Sequence, residues 1–217
     1  MNPELSNTAV SREVAALLLD IQAIQLNPES PFTWSSGWKS PIYCDNRLSL
    51  SYPNVRTFIK QALAKEIQEK YPEVEAIAGV ATAGIPQGAL VAEELGLPFI
   101  YVRSKPKGHG MQNMIEGKVT KGQKVVVIED LVSTGGSSLK AVEALRSADF
   151  EVVGMGAIFT YGFSLADDNF KQAQIPLFTL SNYSIMLEVA LEKEYISREA
   201  LESLEEWRKN PSEWRRD

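Results

Sequence analysis

The sequence has a single cysteine and a single histidine. Cys44 alone cannot close an internal disulfide, which fits a reducing compartment. Positive charge is not in excess: 22 Lys and Arg stand against 28 Asp and Glu, a net charge of -6. No global basic field therefore invites a nucleic acid. Long apolar runs are missing too, and stretches such as "VAALLL" are far too short to cross a bilayer. The opening "MNPELSNTAV" lacks the basic and apolar regions of a signal peptide. There is no internal repeat, no low-complexity tract and no linker rich in Pro, Gly or Ser. The phosphate-loop pattern GxxxxGK[ST] is absent, and "GMGAIF" (154–159) lacks the third glycine of a dinucleotide fingerprint. What remains is an ordinary composition, 44% hydrophobic and 23% charged over 217 residues, which predicts one soluble cytoplasmic domain with no membrane or nucleic-acid partner.

Short apolar runs bounded by turn signals then stand out: "AIAGVA" (76–81), "PFIYV" (98–102), "KVVVIED" (124–130), "VVGMGAIFT" (152–160) and "PLFTL" (176–180). Helical patterns lie between several of them. "IPQGALVAEELGL" stops at Gly96 and Pro98, and "SSLKAVEALRSADF" sets Leu139, Val142 and Leu145 on one face. Strands apolar throughout and alternating with helices predict an α/β fold, with a central, mostly parallel five-stranded sheet flanked by helices. "SREVAALLLDIQAIQL" (11–26) predicts an amphipathic helix, 52–71 another, and "SREALESLEEWRKN" a charged C-terminal helix with Leu201, Leu204 and Trp207 along one side. Residues 1–50 are expected to cap the sheet within a single domain spanning 1–217.

The chemistry concentrates in "KVVVIEDLVSTGGSS" (124–138). In open parallel sheets ligands bind beyond the carboxyl ends of strands. There, Ser133, Thr134, Gly135, Gly136 and Ser137 offer hydroxyls and backbone N–H groups where a helix begins, a cradle suited to a monophosphate. The adjacent Glu129 and Asp130 are poor partners for phosphate but good acceptors for the hydroxyls of a sugar diol. Together they describe a ribose 5-phosphate site. A second segment, "YVRSKPKGHGMQNMIEG" (101–117), gathers Arg103, Lys105, Lys107 and His109 in a glycine-punctuated loop. Such a loop suits a mobile cationic lid over a polyanion.

"VVVIEDLVSTGGSS" resembles the phosphoribosyl pyrophosphate signature of the type I phosphoribosyltransferases, and the R-x-x-x-K-x-H-G pattern from Arg103 to Gly110 resembles the catalytic loop of the orotate phosphoribosyltransferases. "GVATAGIPQGALVA" (79–92), with Thr82 and Ala83, is similar to that family's pyrophosphate loop. "FTWSSGWKSPIYCDNR" (32–47) is similar to its orotate segment, with Tyr43 offered to the flat base. Four motifs fall in the expected order from about residue 30 to residue 161. The chain departs from family lysines at Ser35, Ala83 and Ser104, and from an arginine that meets the orotate carboxylate, where Tyr161 stands.

The resemblance implies transfer of ribose 5-phosphate from phosphoribosyl pyrophosphate to orotate, giving orotidine 5'-phosphate for pyrimidine biosynthesis. In that scheme Lys107, His109 and Asp130 are catalytic. Arg103, Lys105, Lys107, His109, Thr82, Ala83, Glu129, Asp130 and Ser133 through Ser137 hold the sugar donor, and Tyr43, Ser133 and Tyr161 meet orotate. Mg²⁺ is the implied cofactor, carried mainly by the substrate near Glu129 and Asp130, and a homodimer with shared sites is the implied assembly. A transferase for another base, or a silent RNA-binding relative, is the alternative. The acidic balance and the lack of a basic, aromatic-studded face argue against the second.

Overall fold

A computed structural model describes residues 4–5, 7–34, 37–105 and 114–215. Its main sheet has seven strands in the order β1-β11-β10-β9-β6-β7-β8. These are β1 (Glu4–Leu5), β6 (Ala76–Val80), β7 (Phe99–Val102), β8 (Ile115–Glu116), β9 (Lys124–Val132), β10 (Glu151–Thr160) and β11 (Leu177–Asn182). The five expected strands are all present and mutually parallel. Two-residue strands extend both edges: β1 runs parallel to β11, and β8 pairs antiparallel with β7. Neither is long enough to show a period-2 pattern in sequence.

Central strand β9 is buried on both faces. Val126 and Ile128 join one apolar cluster, while Val125 and Val127 join the other. The first cluster takes in the buried faces of α1 (Thr8–Asp20), α2 (Pro53–Lys70), α3 (Gly84–Leu95), α6 (Tyr183–Glu192) and α7 (Arg198–Lys209). The second is closed by α4 (Gly136–Ser147) and α5 (Ser164–Gln172). After β6 the chain moves to β7 on one side, and from β9 it moves to β10 on the other. The strand order therefore reverses between β6 and β9, and a crevice opens beyond their carboxyl ends.

The N-terminal region departs from expectation. Helix α1 starts where the Asn7 side chain accepts from the Ala9 N–H at 2.9 Å, and it ends at Asp20, well short of residue 26. Gln22 has φ +58, a left-handed turn that helical periodicity does not reveal. The chain then forms β2 (Ile24–Leu26), antiparallel to β5 (Ile42–Cys44), and a hairpin of β3 (Phe32–Thr33) with β4 (Lys39–Ser40). A 3-10 turn, η1 (Asn46–Ser51), leads into α2. Among the described residues of this region, β1 extends the sheet and α1 packs in its helical layer.

Candidate active site

The loops after β6 and β9 meet at the reversal point. Helix α3 follows residues 81–83 and α4 follows residues 133–135, and neither helix has a side-chain cap at its start. Two uncapped helix N-termini beside one crevice are two places for anionic groups. Thr82 and Ala83 lie at the mouth of α3, Thr82 exposed and Ala83 half-buried. Gly135 caps α4 with φ +82, and a Cβ there would stand 2.7 Å from the Phe170 ring, so only glycine fits. Ser133 and Thr134 are half-buried, Gly136 and Ser137 exposed, and the Thr134 carbonyl is held by the Asn169 amide at 2.9 Å. The five cradle residues therefore form one continuous turn of backbone into α4.

Glu129 and Asp130 lie inside β9, which runs on to Val132. The first residue of α3 presses against this strand: a Cβ on Gly84 would be 2.4 Å from the Ile128 carbonyl oxygen. Glu129 is 5% exposed; its carboxyl accepts from the Asp130 N–H at 3.0 Å and from Ser138 Oγ at 3.3 Å. Burial, then the neighbouring Asp130 charge, raises its pKa well above the ordinary carboxylate value. Asp130 is also raised by burial, but a side-chain hydrogen bond from Glu129 and the charge of Arg47 pull the other way. Burial thus raises both members of the pair, and Glu129 the further of the two.

Beside the cradle is a cleft of about 610 Å³, lined by Thr33, Trp34, Trp38, Tyr43, Cys44, Leu131, Ser133, Thr134 and Tyr161. Four of these are aromatic, and Ser133 and Thr134 belong to the cradle as well. A flat ring and a phosphorylated sugar could thus occupy adjoining spaces. Tyr43 is 40% exposed, an available stacking face rather than a core ring. Tyr161 lies at the other extreme, 3% exposed, with its ring centroid 5.2 Å from that of Trp34, 5.4 Å from Phe163 and 5.8 Å from Trp207. Burial holds its hydroxyl well above the usual phenol range, so it is a neutral hydrogen-bonding group and cannot supply the charge of an arginine.

Arg103 pairs with Glu116 at 3.3 Å, and its N–H donates to the Met114 carbonyl at 2.8 Å, so both roots of the cationic loop are tied at the sheet edge. Lys105 is exposed. Lys107 and His109 lie outside the described residues. The expected residues on β9, α3 and α4 are therefore brought together, whereas Arg103 is engaged by its own hairpin.

A phosphoribosyl transferase domain model matches residues 49–180. The chain is 60% identical over 206 residues to an orotate phosphoribosyltransferase of Cytophaga hutchinsonii, covering 95% of this chain and 99% of that one. The chain belongs to the orotate phosphoribosyltransferase family. A Bacteroides fragilis member is 58% identical over 94% of this chain and 97% of its own length. Among solved structures, the orotate phosphoribosyltransferase of Aeropyrum pernix superposes with a TM-score of 0.73 at 29% identity, covering 85% of this chain and 99% of that one.

Sequence reasoning missed several residues of the site. Trp34 and Trp38, with centroids 6.5 Å apart, line the cleft, and the aromatic density of "FTWSSGW" was the available signal. Cys44 also faces the cleft; burial and the charges of Asp130 and Asp45 keep it a neutral thiol. Lys39 donates to Thr33 Oγ1 at 3.0 Å, placing a positive charge beside a residue of the cleft lining. Trp207, 0% exposed, reaches the cluster from the C-terminal helix. No spacing pattern could place it there.

Proposed function

We propose that the protein transfers the ribose 5-phosphate group of phosphoribosyl pyrophosphate to N1 of orotate, releasing pyrophosphate and forming orotidine 5'-phosphate, a step of pyrimidine biosynthesis. The observation that carries this reading is the shared wall. Ser133 and Thr134 belong at once to the cradle at α4 and to the aromatic cleft, with Glu129 and Asp130 immediately before them. That order fits a nucleotide: phosphate at the cradle, ribose at the acids, base among the rings.

In the reaction the N1–H bond breaks and its proton passes to a pyrophosphate oxygen or to water. The nitrogen electron pair forms the new bond to ribose C1, and the C1–O electron pair departs with pyrophosphate. The sugar passes through a state with oxocarbenium character. Asp130 accepts hydrogen bonds from the ribose hydroxyls and, when ionised, offsets the growing positive charge. The uncapped start of α3 receives the departing pyrophosphate. Arg103 joins it by exchanging its Glu116 partner, and Lys105, Lys107 and His109 add charge and proton donors from the same loop. Trp34 and Tyr43 stack on the pyrimidine, and Lys39 answers the orotate carboxylate in place of the arginine that Tyr161 replaces.

No group of three or more His, Cys, Asp or Glu suited to a metal occurs among the described residues. The two carboxylates beside the cradle fit an ion held chiefly by substrate oxygens, so Glu129 and Asp130 are its protein partners in this proposal. When bound, Mg²⁺ supplies charge neutralisation of the pyrophosphate. The proposed assembly is a homodimer in the cytoplasm, with the 103–114 loop of one subunit serving the site of the other. A pyrophosphate-release assay over a panel of bases tests the reading. Orotate alone should react with phosphoribosyl pyrophosphate and Mg²⁺; release with adenine or guanine, or with no base of the panel, would reject it.

A further inference from the structure

Asn46 has no place in the reaction described above, yet it is 0% exposed and bonds to both the base segment and the acid strand. Its Nδ2 donates to the backbone carbonyl of Asp130 at 2.7 Å. Its Oδ1 accepts from Cys44 Sγ at 3.4 Å, and Cys44 lines the base cleft. Its own carbonyl accepts from Ser49 Oγ at 2.6 Å, and that hydroxyl accepts from Gln87 Nε2 at 3.1 Å. Gln87 is 1% exposed and lies on α3, one turn beyond Gly84. A single buried side chain thus joins the base segment to the acid strand, and the same residue's main-chain carbonyl reaches, through Ser49, the helix of the pyrophosphate loop.

The position explains the residue type. β6 pairs with β9 only as far as Gly79 with Ile128, so the carbonyl of Asp130 falls beyond that ladder. A buried carbonyl without a donor is costly, and the Asn46 amide supplies the donor there. The same side chain must accept from the Cys44 thiol. Only a carboxamide presents donor and acceptor in one rigid plane at this length. Aspartate would keep the shape but set an acceptor against the Asp130 carbonyl.

We infer that Asn46 is a positioning residue that fixes the backbone at Asp130 relative to the base cleft, so that ribose and pyrimidine are aligned together. The inference rests on the function proposed above, because the alignment matters only if both groups bind here. Asn46→Asp should raise KM for phosphoribosyl pyrophosphate about tenfold or more and lower kcat by a similar factor, while the protein still melts cooperatively. A purely structural role would lower the melting temperature or the fraction of active sites but leave KM and kcat per active site unchanged. Should Asn46→Asp fail to fold, Asn46→Ser, which keeps a hydroxyl too short to span the gap, carries the same expectation. Calorimetric titration with phosphoribosyl pyrophosphate and Mg²⁺, without any base, provides a second readout and should show the same weakening. KM, kcat per active site and titrated affinity all within about twofold of wild type would overturn the inference. Failure of the wild-type protein to turn over orotate would instead count against the proposed function, and the base-free titration would still decide the role of Asn46.

Discussion

Replacing Trp207 by alanine tests whether the C-terminal helix forms part of the base cleft. Trp207 is fully buried, with ring centroids 5.5 Å from Trp34, 5.8 Å from Tyr161, 5.6 Å from Phe163 and 5.5 Å from Tyr183. Its Nε1–H donates to the Lys39 carbonyl at 3.2 Å, which ties α7 to the β3–β4 hairpin. Truncating a buried tryptophan costs about 3–5 kcal/mol, for lost transfer energy and the cavity left behind. For a chain of this length that is a fall of roughly 6–20 °C in Tm. The functional effect should be selective. Trp34 and Tyr161 lose a shared neighbour, so KM for orotate should rise severalfold, while affinity for phosphoribosyl pyrophosphate, held by α3, α4 and β9, changes little. Trp207→Phe keeps most of the packing and loses the indole donor, a smaller penalty of about 1–3 kcal/mol for the unpaired Lys39 carbonyl. Calorimetric melts and steady-state kinetics in both substrates measure these quantities. An alanine variant that melts with the wild type and binds orotate normally would refute the packing argument.

Three further outcomes are expected. Lys39→Met should raise KM for orotate about tenfold or more and leave that for phosphoribosyl pyrophosphate within twofold, measured by initial rates; equal effects on both would remove Lys39 from carboxylate recognition. Glu129 has its folded pKa raised above the ordinary 4.5, so its contribution to stability is fully present below that pH and is lost as pH rises through the folded value. Glu129→Gln should therefore gain on the wild type in urea midpoint as pH rises from about 4.5 toward 8, and a gap independent of pH would contradict the upward shift of the buried Glu129. Co-refolding inactive Lys107→Ala and Asp130→Ala proteins should restore about a quarter of the sites if the loop acts across a two-fold interface. No recovery, with subunit exchange demonstrated, would confine the loop to its own subunit.

The main strands were legible because each is a short apolar run between turn signals, and burial on both faces leaves no alternation to confuse them. The acid pair and cradle were legible for a different reason: they are contiguous in sequence, so one loop carries the whole pattern. β1 and β8 were not, since two residues have no period. The helix expected to run to residue 26 stops at Asp20 because the left-handed turn at Gln22 is set by pairing of β2 with β5, a long-range event. The base cleft was half-legible. Tyr43 could be singled out from its motif, but Trp207 reaches Trp34 from a helix far along the chain. Asn46 carried no signal, because its role depends on where the Asp130 carbonyl is left without a strand partner.

A crystal structure of the protein with orotidine 5'-phosphate bound is the most direct measurement of the site assignment. Phosphate oxygens are predicted within hydrogen-bond distance of the backbone N–H groups of residues 133–137, with the ribose hydroxyls at Asp130. The pyrimidine should lie among Trp34, Trp38 and Tyr43, its carboxylate toward Lys39. A phosphate bound elsewhere, or a base ring outside the aromatic cleft, would contradict the account.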